Sequence, residues 1–358
     1  MNRVLRSRQV WTVAAIVALL LVNVVKDPGY LSIRYSSNTG AFVGNLVDIV
    51  RAAAPILMIA TGMCLVIATG GIDLSVGALM VVSGAVCMEY LRHADAPESA
   101  GAAAVALLLM AAVCLGLGLL NGVLVATVGL QPFIATLVMM LAGRGLAKVI
   151  TEGQNTTAAN EPYRWLANGY VAGLPVVFLI AIGLVAVVAL VVRRSALGML
   201  IEALGINAEA SRLAGVNRRA LLLTVYAVSA VLAGVAGVFS TGTVMTVDVS
   251  QTGSQLELDA ILAVVLGGTS LAGGKFSLGG AALGALLIAT LDKTVVFLGV
   301  PSSATPAFKA VVIVVLYVAR SPRARHAIGT LRRPGPGQPE PQPETEPERR
   351  AVAEVVPS

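Results

Sequence analysis

Asn207-Ala-Glu-Ala-Ser-Arg-Leu-Ala-Gly215 has the residue types of a short capped helix at the spacing of a docking element. Asn207 is a good N-cap, Glu209 falls in the first turn, and Gly215 stands where a left-handed residue would end the helix. Ala210, Leu213 and Ala214 recur at helical spacing and make a small apolar stripe. One to two turns do not persist alone in water, so this helix needs something to dock into. The chemistry on offer is recognition of a partner, with no bond made or broken.

Thr69-Gly-Gly-Ile-Asp-Leu-Ser-Val-Gly77 is a break between two apolar runs. Asp73 within it has two readings. As an intramembrane carboxylate it would cost about 2.5–3.5 kcal/mol on insertion scales and imply a pathway or a structural partner. As a cap it would start a new helix at or near the cytoplasmic surface, with Leu74-Ser75-Val76 as the first turn. Asn121, Gln131, Phe133 and Thr136 lie around a second break, Gly129-Leu-Gln-Pro132. Amides, hydroxyls and an aromatic face suit a ligand with many neutral hydroxyls. The same groups also serve interhelical hydrogen bonds worth about 0.6–2 kcal/mol each. With Asp73 and Ser75 they form the set of candidate pathway residues.

Gly267-Gly-Thr-Ser-Leu-Ala-Gly-Gly-Lys-Phe-Ser-Leu-Gly-Gly280 lacks the G-x-x-x-x-G-K-[ST] spacing of a phosphate loop and reads as a re-entrant or broken helix. There is no Walker motif in the chain, so any ATP is hydrolysed by another subunit. Asp292 and Lys293 are adjacent opposite charges late in an apolar run. They are expected to snorkel to the external interface, with a coupling-ion role for Asp292 as the alternative. His93 and His326 are both read in loops, neither within a Cys, Asp and Glu constellation, and Cys64, Cys87 and Cys114 show no C-x-x-C spacing. The cysteines are expected in the core or facing lipid. No catalysis, metal or cofactor is implied.

The elements that must position these residues are membrane spans. The 358 residues are 57% hydrophobic and 12% charged, about half the charge of a soluble domain, and mean hydropathy is +0.85. About ten runs are long enough to span the bilayer: Val10–Val25, Leu46–Thr69, Leu74–Leu91, Ala102–Val128, Phe133–Ile150, Leu174–Val192, Ala220–Thr241, Leu258–Ala272, Leu278–Leu298 and Ala307–Ala319. The net charge of +6 is concentrated in three places: Arg3, Arg6 and Arg8; Arg193 to Arg219; and Arg320 to Arg333. With an even span count all three share one side, which the positive-inside rule makes cytoplasmic. That distribution argues against nucleic acid as a partner. Both termini and the Asn207 helix, in a loop over 193–219, are then cytoplasmic. The first span is read as uncleaved, because no small-x-small site follows Leu21.

Residues 1–325 are expected to form the transmembrane domain. The Pro- and Glu-rich stretch over 326–358 has no apolar periodicity and reads as a disordered cytoplasmic tail. On the other side, Lys26 to Asn45 and Thr151 to Gly173 are long enough for a small external surface. Gly70-Gly-Ile-Asp-Leu-Ser75 faintly echoes Gly267-Gly-Thr-Ser-Leu271, and Gly129 and Gly299 each precede a later span. Such paired interruptions are what repeat-built transporters show.

Several of these segments together resemble one family. Gly70-Gly-Ile-Asp-Leu-Ser75, Leu120-Asn-Gly122, Gln131-Pro-Phe-Ile-Ala-Thr-Leu137, Val265-Leu-Gly-Gly-Thr-Ser-Leu-Ala-Gly-Gly274 and Gly299-Val-Pro301, in that order from about Asn45 to Ala319, look like the ribose/xylose/galactose-type permeases of bacterial ABC importers. Lys275-Phe-Ser-Leu-Gly-Gly280 and Thr290 to Pro301 look most similar to the galactofuranose-type members. The cytoplasmic coupling helix of such permeases carries an EAA---G pattern. Glu209-Ala-Ser211, three residues and Gly215 match it, with Ser211 in place of the second alanine and without the later Leu-Pro.

The resemblance implies an all-α polytopic protein of two pseudo-repeated halves, like the permeases of type II importers, in the bacterial inner membrane. It also implies an ABC ATPase, an extracytoplasmic sugar-binding protein and a second permease chain, identical or not. The expected function is inward transport of a monosaccharide. The rivals are a permease of the same superfamily for branched-chain amino acids or nucleosides, an ion-coupled secondary transporter, and an intramembrane enzyme. The last lacks clustered Asp, Glu or His in the spans.

Overall fold

Backbone amides in hydrocarbon must find partners within the chain, and a helix provides them residue by residue. The computed structural model describes residues 8–37 and 40–320. Its helices are α1 (Arg8–Lys26), α2 (Asn45–Ala68), α3 (Val76–His93), α4 (Ala100–Val123), α5 (Pro132–Ile150), α6 (Glu161–Asn168), α7 (Val176–Arg194), α8 (Leu197–Ile206), α9 (Ala208–Leu213), α10 (Arg218–Val244), α11 (Leu256–Leu266), α12 (Leu278–Leu298) and α13 (Thr305–Arg320). A π-helical turn, Leu124–Val128, extends α4. The protein is an all-α, multi-pass membrane protein.

Among the described residues, seven helices are long and apolar enough to cross a membrane: α1, α2, α4 with its extension, α5, α7, α10 and α12. Three of the ten expected runs differ. α3 has 18 residues but carries Glu89 and Arg92 at one end, and α13 has 16. The run expected over Leu258–Ala272 is not a spanning helix. α11 has 11 residues, about 16 Å, and Gly267-Gly268 ends it, with Gly268 at φ +104°. It is half a span.

Contacts divide the chain into two units, Met1–Val311 and Val312–Ser358; the described part of the second, residues 312–320, is the end of α13. The expected tail over 326–358, with His326, lies outside the described residues.

α10 is the central helix of the first unit and packs along α2, α3 and α4; α12 packs on α1, α2 and α11. Small residues set the spacing. A Cβ on Gly62 would stand 2.7 Å from the Ser229 Cα, and one on Gly118 would stand 2.8 Å from the Tyr226 carbonyl oxygen. Close backbone approach of this kind is how helices associate where lipid removes the hydrophobic drive. Cys64, Cys87 and Cys114 are all buried in this core.

Opposite the arginine-rich ends of α1, α7 and α10, three two-stranded antiparallel ribbons form: β1 (Arg34–Ser36) with β2 (Ala41–Val43), β3 (Thr156–Thr157) with β6 (Thr246–Val247), and β4 (Tyr170–Val171) with β5 (Leu174–Pro175). The two expected surface segments join there, as the Phe42 amide donates to the Gly173 carbonyl at 3.0 Å. α6 lies between, capped by the Asn160 side chain accepting from the Tyr163 amide at 2.7 Å.

Candidate functional site

α9 is shorter than the segment that encodes it, six residues between two caps. The Asn207 carboxamide oxygen accepts from the Glu209 and Ala210 amides at 3.1 and 2.9 Å, which satisfies two orphan donors of the first turn. At the other end the Gly215 amide donates to the Arg212 carbonyl and the Val216 amide to the Ser211 carbonyl, each at 3.0 Å, with Gly215 at φ +84°. That is a Schellman motif, and its left-handed position is why glycine stands there.

Ser211 is the buried residue of α9 and donates to the Asn207 carbonyl at 2.9 Å. Ala210, Leu213 and Ala214 are exposed, Leu213 at 74%, so the apolar stripe is left uncovered among the described residues. Glu209 pairs with Arg212 at 2.6 Å in full solvent. The hydrogen bond and charge of Arg212 hold the Glu209 carboxyl below the usual carboxylate range.

The segment 193–219, expected as a loop around this one helix, also forms α8. That helix ends at Gly205-Ile206, and its last turn lies against two backbone breaks at once. A Cβ on Gly205 would collide with the Ala68 carbonyl oxygen and the Gly274 amide. Those two groups are hydrogen-bonded to each other at 2.9 Å. Thus the break after α2 and the break between α11 and α12, similar in sequence, also touch in space directly above the α8–α9 corner. Gly129 and Gly299 play matching parts, as left-handed residues ending α4's extension and α12. The second half has one helix fewer, which is why the spacings disagree.

Four of the six pathway candidates come together. The Asp73 Oδ1 accepts from the Ser75 amide at 3.0 Å and from the Ser75 hydroxyl at 2.5 Å; Oδ2 accepts from Ser229 at 3.0 Å. Asn121 Nδ2 donates to the Ser75 Oγ at 2.9 Å, and the Thr136 hydroxyl lies 3.1 Å from the Ile72 carbonyl. Asp73 is 1% exposed. Its two readings therefore merge into a third: it holds Ser75, the residue that starts α3, and it does so while buried among the helices. The positive end of α3 faces the carboxylate. Asn121 Oδ1 and the Tyr226 hydroxyl close the cluster without hydrogen-bond partners among the described residues. Gln131 and Phe133 are not part of it and lie exposed at the start of α5.

Asp292 does not snorkel beside Lys293. It faces Lys309 of α13, whose Nζ stands 2.6 Å from Asp292 Oδ1 and 3.0 Å from Asp259 Oδ2 on α11. Lys293 instead lines a cavity of about 400 Å³ with Asp48, Arg51 and Ser240. The lone lysine in the last apolar run was the available signal for this triad, as lone ionisable residues in spans seek partners.

The family described as "Branched-chain amino acid transport system / permease component" matches residues 45–319. A fructose import permease protein of Bifidobacterium longum is 48% identical over 336 residues, covering 93% of each chain. A galactofuranose transporter permease protein of Escherichia coli is 39% identical over 86% of this chain and 88% of its own, and a ribose import permease protein of the same species is 40% identical over 76% and 84%. No solved structure matches. With a family match over residues 45–319 and a relative aligned over 93% of each chain, the chain belongs to this family of transport-system permease components.

Proposed function

We propose that this chain is the membrane-spanning subunit of an ATP-driven ABC importer that moves a monosaccharide into the bacterial cytoplasm. The observation that carries the reading is α9: a helix too short to stand alone, capped at both ends, that leaves Leu213 uncovered beneath the meeting point of two helix breaks. An ABC ATPase docks there, and Asn207, Glu209, Ala210, Leu213 and Gly215 are its contact and framing residues. Force on α9 reaches α8, and Gly205 passes it to the Ala68–Gly274 junction.

The arginines at the ends of α1, α7 and α10 support, by the positive-inside rule, a cytoplasmic location for this side and for both termini of a plasma-membrane protein. Residues 1–325 are then the transmembrane domain, and 326–358 a cytoplasmic tail. The ribbons and α6 form the opposite surface, where an extracytoplasmic sugar-binding protein docks. A second permease chain, identical or not, completes the path. The names of the three relatives favour a sugar over an amino acid or nucleoside. Asp73, Ser75, Asn121 and Thr136 hold the break at the path's wall, while Gln131 and Phe133 remain free for ligand.

Reconstitution of the chain with a partner ATPase and sugar-binding protein tests this. ATP-dependent uptake of labelled D-fructose, D-ribose or D-galactose, not competed by leucine or adenosine, is the expected result. Uptake that proceeds without the ATPase would overturn it in favour of ion coupling.

A further inference from the structure

Arg144 on α5 and Glu257 on α11 are ionisable side chains with no part in the reading above. Ile72 meets Thr136 and Ala78 meets Gly143, so α5 runs beside α3 in the same direction. Arg144 Nη2 donates to the Gly253 carbonyl at 3.4 Å. The Glu257 carboxylate and that same carbonyl both lie against Gly77, where a Cβ would collide with them. The three elements thus converge on one point. Gly77 is 12 residues, about 18 Å, along α3 from Glu89, the first charge on that helix, which is near the middle of a core about 30 Å thick.

Arg144 and Glu257 are each only partly buried, and Leu141 and Leu258 beside them are exposed. Lipid on this face would leave two charges unsolvated, so water or another chain borders it. α11 is a half-helix that starts at this depth, after Gln255 in the left-handed region. Discontinuous helices that begin at the midplane are where transporters hold their cargo. Glu257 Oε2 is buried and has no hydrogen-bond partner among the described residues.

We propose that Arg144 and Glu257 bind the sugar in transit, the guanidinium donating to its ring and hydroxyl oxygens and the carboxylate accepting from its hydroxyls. This rests on the permease reading above. Each neutral hydroxyl both donates and accepts, and the pair supplies the complement of each role.

Proteoliposomes holding the chain with its ATPase and binding protein, given labelled D-fructose and D-ribose, test it. Arg144→Gln and Glu257→Gln should each cut uptake at least tenfold and shift the fructose-to-ribose ratio at least threefold, with unchanged chain level and ATPase retention. Uptake within twofold of wild type overturns the proposal. So does an equal fall for both sugars that R144E/E257R reverses, because that marks a structural pair. If a glutamine variant lowers the chain level, Arg144→Lys and Glu257→Asp are read instead: a shifted ratio supports the proposal and an unshifted one overturns it. A wild type that imports neither sugar fails the permease reading, and this inference falls with it.

Discussion

Asp73 and Glu209 are both carboxylates at the start of a helix, and their surroundings are opposite. Asp73 is sealed in the core, where the Ser75 amide, the Ser75 hydroxyl and the Ser229 hydroxyl donate to its two oxygens. Glu209 stands in solvent with Arg212 as its one neighbour, on a helix whose apolar side chain faces outward. A buried carboxylate whose partners all come from its own chain has its interactions used up in holding the fold. An exposed one on a helix with an uncovered leucine has its surroundings still to be supplied. The contrast assigns structure to the first region and contact with a partner to the second.

The largest effect should come from Asp73→Ala, which strips three hydrogen bonds at once and leaves an amide and two hydroxyls buried without an acceptor. About 3 kcal/mol of stability should be lost, at roughly 1 kcal/mol per bond. Thermal unfolding of the purified protein in detergent reads this as a drop in Tm, and Glu209→Ala beside it should leave Tm unchanged. Equal Tm values for the two variants would erase the contrast.

Gly205→Val should come next. A side chain there must displace the Ala68 carbonyl or the Gly274 amide, and overpacking of this kind costs about 1–3 kcal/mol. The two regions meet at this glycine, so a second effect is expected: ATPase stimulation by the loaded binding protein should fall while basal ATPase activity is kept. A variant that loses Tm but keeps full stimulation would separate the junction from coupling.

Asn207→Ala removes an N-cap and should cost about 1 kcal/mol, confined to α9 and its flanks. Hydrogen exchange at 208–215 should quicken while the amides of α2 and α10 keep their protection. Spread of the change into those helices would show that α9 is part of the core's cooperative unit.

How far these regions were legible in the sequence follows from the range of the forces involved. The caps of α9 are local, so Asn207 and Gly215 could be read from residue type and spacing alone. The spans were legible because each is a continuous apolar run, and α11 was misjudged because its run continues in residues past the glycines that end the helix. Asp73 was found but not placed, since its depth depends on Ser229, 156 positions away. Asp292 was placed wrongly because its adjacent lysine suggested a local pair, whereas its partner Lys309 comes from the next helix. Arg144, inside one apolar run, and Glu257, just before another, are far apart in sequence and carry no local motif. Their meaning appears only when α3, α5 and α11 bring them to one depth.

The smallest expected effect on the chain itself belongs to Leu213→Asp. The leucine is 74% exposed and makes no packing that the fold uses, so stability should stay within about 0.5 kcal/mol of wild type. Its effect on the partner should be the reverse. An exposed leucine on a short capped helix gains burial only when a partner covers it, and an aspartate there carries its hydration into that contact. The ATPase should no longer co-purify, and uptake should cease with Tm unchanged. Leu213→Met, which keeps the apolar volume, should retain both. The comparison is sharpest at this position: the residue contributing least to the fold should be among those the transporter cannot lose. A lower Tm in Leu213→Asp, or an ATPase still bound to it, would place the docking surface elsewhere on the arginine-rich side.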